Sequence, residues 1–152
     1  MTLRWLVAAA HLLALGIGLG AVWGRSRALR GPVLDNAAIR RALAADAWWG
    51  VAALLWLGTG VWRAFGGLEK GTSYYLANTA FHAKMGLFLL VLVLEIRPML
   101  TLMRWRRALS RGTRLDTEGA RTISRLSAVQ ALLIVGIVLA ATAMARGLGL
   151  RG

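Results

Sequence analysis

His11 and His82 are the only two imidazoles in the chain, and each lies inside a long apolar run. A titratable side chain held in hydrocarbon is costly, so each one needs a physical reason for being there. Imidazole is a good axial ligand for haem iron, and facing histidines hold haem inside helical bundles. At 1.5 Å per residue His11 lies about 12 Å below the outer end of its run. With Tyr74 and Tyr75 marking the interface, His82 lies about 11 Å deep on the same reckoning. The two rings reach a similar depth, which makes them candidate metal ligands and candidate holders of haem b. The plainer use of an intramembrane histidine is hydrogen bonding between helices.

The stretch "FHAKMGLFLLVLVLEIRPML" adds Lys84, Glu95 and Arg97 to His82. Lys84 and Glu95 share a helix face to within about 20°, whereas His82 and Lys84 diverge by about 200°. One of that last pair therefore faces the bundle centre while the other snorkels or meets a neighbouring helix. Lys84 with Arg63 and Lys70 forms a candidate cationic rim, suited to haem propionates or another carboxylated ligand; the plain alternative is a set of interfacial snorkellers. Glu95, Arg97 and Asp46 read as structural pairing near the inner interface, Asp46 with an arginine of a connecting segment.

The elements that must position these groups follow from composition. Of 152 residues, 58% are hydrophobic and only 16% charged, and mean hydropathy is +0.61. A soluble domain of this length needs a much larger charged shell. The apolar residues gather in four blocks, about 3–23, 45–65, 75–96 and 128–144, each near the ~20 residues that cross a bilayer. Backbone amides in lipid must pair within their own segment, so the expected fold is all-α, one integral membrane four-helix bundle spanning residues 1–152. The first block lacks a small-x-small cleavage site and reads as a retained span. There are no cysteines, which removes disulfides, thiolate metal sites and thiol chemistry.

The net charge of +13 does not require nucleic acid. Arg25, Arg27, Arg30, Arg40 and Arg41 lie between the first two spans. Arg104, Arg106, Arg107, Arg111, Arg114, Arg121 and Arg125 lie between the last two. The positive-inside rule makes both segments cytoplasmic, with the N- and C-termini outside, in a bacterial inner membrane. The lipid bilayer, with its anionic headgroups, is then the partner of the basic surface.

Within the connections, Gly31-Pro32 breaks the chain, Asp35 and Asn36 suit an N-cap, and the helix that follows runs unbroken into the second span. "SRGT" breaks it again, with Asp116 or Thr117 as the next cap, and Pro98 should kink or end the third helix. Trp5, Trp23, Trp48, Trp49, Trp62 and Trp105 read as interfacial belt residues. Small residues mark packing faces: His11, Ala14 and Gly18; Asp46, Gly50, Ala53, Leu57, Gly60 and Ala64; Gly136 and Ala140. Met85, Met99 and Met103 are too sparse for a soft-metal path. No hydrolase triad, phosphate loop or HExxH is present.

"EKGTSYYLANTAFHAKMGLFLLVLVLEIRPMLTLMRW", with "DAWWG" opening the second span and "GVWRAFGGLEKG" before the third, resembles a bacterial membrane family known as domain of unknown function 2214. A first-span histidine followed by "FHAK" at the third span also looks like the HemJ-type protoporphyrinogen oxidases and copper-resistance-D-like proteins. That likeness implies bound haem b, with His11, His82 and Lys84 as the matching positions, and Lys84 as the residue that positions substrate carboxylates. "EIRP" at 95–98 departs from the HemJ pattern. The first expectation is a haem-b redox protein, with His11 and His82 as ligands, Arg63, Lys70 and Lys84 at the propionates, and an electron acceptor in the membrane. The second is a non-catalytic helical subunit, packing in a larger membrane complex or a homo-oligomer.

Overall fold

Hydrocarbon leaves a backbone amide no partner beyond its own segment, and each apolar run accordingly becomes a helix. The computed structural model describes residues 2–66 and 78–147. It contains α1 (Thr2–Ala28), α2 (Asn36–Phe65), α3 (Thr79–Ser110) and α4 (Ala120–Ala145), with no strand among the described residues. All four helices are long and apolar enough to cross a membrane. The chain is therefore a multi-pass membrane protein by length and composition. One end of the bundle carries the arginine-rich connections and the other carries the start of α1 and the end of α4.

The helix ends are set locally. Asp35 accepts from the Ala38 amide at 2.6 Å and caps α2, which then runs without a break to Phe65. Asn78 caps α3, its Oδ1 accepting from the amides of Ala80 and Phe81. α3 stops where Gly112 takes a left-handed φ of 65° and the Thr113 amide returns to the Ala108 carbonyl at 3.0 Å, a conformation that glycine adopts without steric penalty. Two expectations are corrected. Of the two outcomes expected at Pro98, a kink or an end, the end is excluded: Pro98 is buried inside α3, which continues on packing contacts of Leu102 and Trp105. α4 starts at Ala120 with Gly119 in the cap position and no side-chain cap; the Asp116 carboxylate instead accepts from the Glu118 amide.

α1 packs along both α2 and α4, and α3 packs along α4. α2 and α3 touch sparsely, and α1 and α3 stand on the diagonal, with no pair of Cα atoms within 8 Å. Two apolar cores result. The larger joins Ala14, Val22, Trp49, Trp56, Val91 and Ile134. The smaller, at the arginine-rich end, joins Leu29, Ile39, Leu102, Trp105 and Ile123. Trp49 and Trp105 are thus core residues and not interfacial ones, since Trp49 lies against the bare backbone of Gly18 and Trp105 donates to the Asp116 carbonyl at 2.8 Å. Trp5, Trp23, Trp48 and Trp62 are exposed, as belt residues should be.

Candidate functional site

A charged knot lies between the two cores. Arg25 falls on the same buried stripe of α1 as Ala14, Gly18 and Ala21, so its side chain points into the bundle and is fully buried. Its Nε donates to Ser127 Oγ at 2.9 Å. Nη1 donates to Asp46 at 2.9 Å and to Glu95 Oε1 at 2.7 Å. Nη2 donates to Glu95 Oε2 at 2.6 Å and to Gln130 Oε1 at 2.9 Å. A guanidinium has five N–H donors, and all five are met. The acceptors come from α2, α3 and α4, so one side chain of α1 ties every helix together.

The acceptors are satisfied in turn. Gln130 Nε2 donates to Glu95 at 2.8 Å and to the Val91 carbonyl at 3.2 Å. Arg106, partly exposed, donates to Asp46 at 2.8 Å and to the Leu43 carbonyl at 3.0 Å. Two arginines and two carboxylates balance formally to zero. Below the knot Ser124 donates to the Ser26 carbonyl at 2.8 Å, a further tie between α1 and α4. The expected structural pairing of Asp46 and Glu95 is found here, whereas Arg97 is exposed on the far side of α3.

The terminal half holds the histidines. His11 is half-buried against α2, where Gly60 leaves room for the ring: a Cβ there would stand 3.1 Å from His11 Cε1. Trp56 Nε1 donates to His11 Nε2 at 3.0 Å. Indole is a donor only, so Nε2 is the unprotonated nitrogen and Nδ1–H donates to Thr59 Oγ1 at 2.9 Å. The Thr59 hydroxyl in turn donates to the Leu55 carbonyl. On its far side Trp56 meets Phe88 of α3 edge-to-face, with ring centroids 5.3 Å apart.

This arrangement does not fit a haem held between α1 and α3. The His11 nitrogen that would bind iron already accepts a hydrogen bond, and Trp56 and Phe88 fill the space from His11 toward α3. His82 is exposed, in the first turn of α3, on the side of the helix opposite buried Val91 and Pro98. Its Nδ1–H donates to the Asn78 carbonyl at 3.0 Å, which fixes the ring and leaves Nε2 as an acceptor. Asn78 itself is fully buried, and its Nδ2 is the one buried side-chain polar atom without a hydrogen-bond partner among the described residues.

Lys84 turns the other way from His82, as their spacing requires. It is half-buried, with Nζ 5.4 Å from the Phe81 ring centroid. Arg63 is half-buried in the last turn of α2, at the same end of the bundle. Lys70 lies outside the described residues. Among the described residues no group of three or more His, Cys, Asp or Glu side chains is placed to hold a metal.

Sequence reasoning missed Arg25, Ser127 and Gln130. Arg25 looked like a connecting residue because α1 was expected to end near Trp23, whereas it continues one turn further, to Ala28. The signal was present: Arg25 stands seven residues from Gly18, on the stripe of small residues. Gln130 carries no charge and so did not register as an anomaly in the fourth span.

Comparison with known proteins gives one family match. The profile described as "Predicted membrane protein (DUF2214)" covers residues 3–149. Neither the curated proteins nor the solved structures contain a match to this chain.

Proposed function

This chain belongs to the DUF2214 family of predicted membrane proteins, and from that premise we propose that it is a helical subunit of a larger membrane assembly, docking through the outward face at the start of α3. One observation carries this reading. His82 is exposed on the side of α3 away from the core, with its ring held by the Asn78 carbonyl and Nε2 presented outward. A polar group facing lipid is unfavourable until something outside the chain satisfies it. By the positive-inside rule the arginine-rich end faces the cytoplasm of a bacterial cell and this docking face lies toward the other side.

The test places its probe beside His82 and not at it. Gly86 lies one turn along the same stripe with open space beside it. A photo-crosslinking residue at position 86, irradiated in native membranes, is expected to give a discrete adduct that disappears with His82→Ala. The same residue at Leu139, on the exposed face of α4, is expected to give none. Equal adducts at both positions would refute the assignment.

A second reading has its own support. Ligating imidazoles are usually oriented by a hydrogen bond from the other ring N–H to a carbonyl or carboxylate, and His82 makes that bond. On this reading His82 is an axial ligand of haem b on the outward face of α3. The haem would supply one-electron transfer to a membrane acceptor. The likeness to HemJ-type oxidases extends this to a porphyrinogen, with Lys84 holding substrate carboxylates. A Soret band that shifts with dithionite and is lost in His82→Ala supports it; membranes from haem-replete cells without that band remove it.

A further inference from the structure

In hydrocarbon the two kinds of contact that hold a helical bundle differ in how they can be replaced. An apolar side chain that leaves a neighbouring helix meets an acyl chain instead, so little is lost. A hydrogen-bonded polar group finds no such substitute in lipid. Where each kind lies therefore decides which parts of a bundle can separate.

Here the helices fall into two pairs. α1 with α2, and α3 with α4, make the two most extensive contacts, while α2 and α3 touch sparsely. Each pair has polar ties of its own: His11 to Thr59 and Trp56 in the first, Gln130 to Glu95 and the Val91 carbonyl in the second. Among the described residues, the hydrogen bonds that cross from one pair to the other gather in the arginine-rich half. Arg25 of α1 reaches Glu95, Ser127 and Gln130, and Ser124 donates to the Ser26 carbonyl. Arg106 bridges α3 to Asp46 and the Leu43 carbonyl of α2. The smaller core closes the same end, joining Ile39 and Ala42 of α2 to Leu102 and Trp105 of α3.

In the terminal half the same boundary is crossed by apolar contact. Trp56 of α2 meets Phe88 of α3 edge-to-face, and Ala14 of α1 shares the larger core with Ile137 of α4. The Trp56 N–H is committed to His11 within its own pair, so the indole stays with α1 and α2 when Phe88 leaves it. We propose that the bundle opens to lipid along the α2–α3 seam in its terminal half, with the two helix pairs rocking as bodies about the Arg25 knot. The knot is the hinge because its bonds cannot be exchanged for contacts with lipid. The meeting of Trp56 and Phe88 is the part that opens, and opening brings the indole held by His11 against acyl chains.

The chain has no cysteine, so spin labels can be introduced in pairs and their separation read by double electron–electron resonance on the full chain in lipid nanodiscs. Leu57→Cys with Leu89→Cys spans the seam in the terminal half. Ala44→Cys with Met103→Cys spans it in the arginine-rich half, and Leu13→Cys with Leu57→Cys stays within α1 and α2. All of these positions are exposed. The terminal labels across the seam are expected to show a second, longer distance that the other two combinations lack. Phe88→Ala should raise the share of that longer component. Leu87→Ala, which truncates a side chain packed toward Gly136 inside the second pair, should not. A single narrow distance across the terminal seam, with and without Phe88→Ala, would overturn the opening. A longer component for the arginine-rich labels would overturn the hinge, and one for the labels within α1 and α2 would overturn the movement as pairs.

Discussion

The two halves of this bundle treat buried polarity in opposite ways. In the arginine-rich half the Arg25 guanidinium meets five acceptors drawn from three other helices. In the terminal half His11 bonds Thr59 and Trp56 of α2, His82 bonds its own backbone, and Asn78 Nδ2 has no hydrogen-bond partner among the described residues. Low dielectric strengthens a hydrogen bond and raises the penalty for a missing one by the same physics. A closed network therefore works as a fastener. The exposed ring of His82, held by one bond to its own backbone, is the group left for something from outside to meet.

The sharpest way to break this contrast is Arg25→Ala. Removing one member of a buried ion pair leaves its partners uncompensated, at a cost of about 3–5 kcal/mol. Here two carboxylates, Asp46 and Glu95, lose a shared partner. A large fall in the melting temperature of the detergent-solubilised protein is expected, and a fall no larger than that of a surface variant would show that the knot is not the fastener. His11→Ala comes next. It leaves the Trp56 N–H without its acceptor, a loss of about 1–3 kcal/mol, and the tryptophan fluorescence of the folded protein should shift as Trp56 loses its partner.

Gly60→Ala sharpens the same site at a smaller scale. Its new Cβ would lie 3.1 Å from His11 Cε1, so the imidazole must move by a few tenths of an ångström, at a cost of about 1 kcal/mol. Thermal unfolding of the single variant and of Gly60→Ala with His11→Ala measures it; the penalty should vanish in the double variant. His82→Ala is the smallest expected effect, within about 0.5 kcal/mol, as for surface positions away from any structural feature. A strong loss of stability there would show that the ring supports the bundle and is not held out for a partner.

Much of the architecture was legible without coordinates. Four apolar blocks fixed four helices, and the Asp35 cap and the Gly112 break came from local side-chain and backbone chemistry. The indole belts were half legible: Trp49 and Trp105 share the composition of their surroundings with Trp5 and Trp23, and only helix rotation separates core from interface. The candidate site was less legible. The 200° divergence of His82 and Lys84 followed from helix geometry and recurs in the structure. The common depth expected of His11 and His82 carried no information about which way each ring turned, nor that Trp56 and Phe88 stand between His11 and α3.

The sequence alone determined that this chain belongs in lipid as four helices, because hydrocarbon leaves a backbone no other way to satisfy its amides and the apolar lengths match a bilayer. Tertiary structure decided which polar residues are structural. That depends on helix rotation and on which pairs of helices touch, and these are set by close contact between residues up to about a hundred positions apart, such as Arg25 with Ser127 and Gln130.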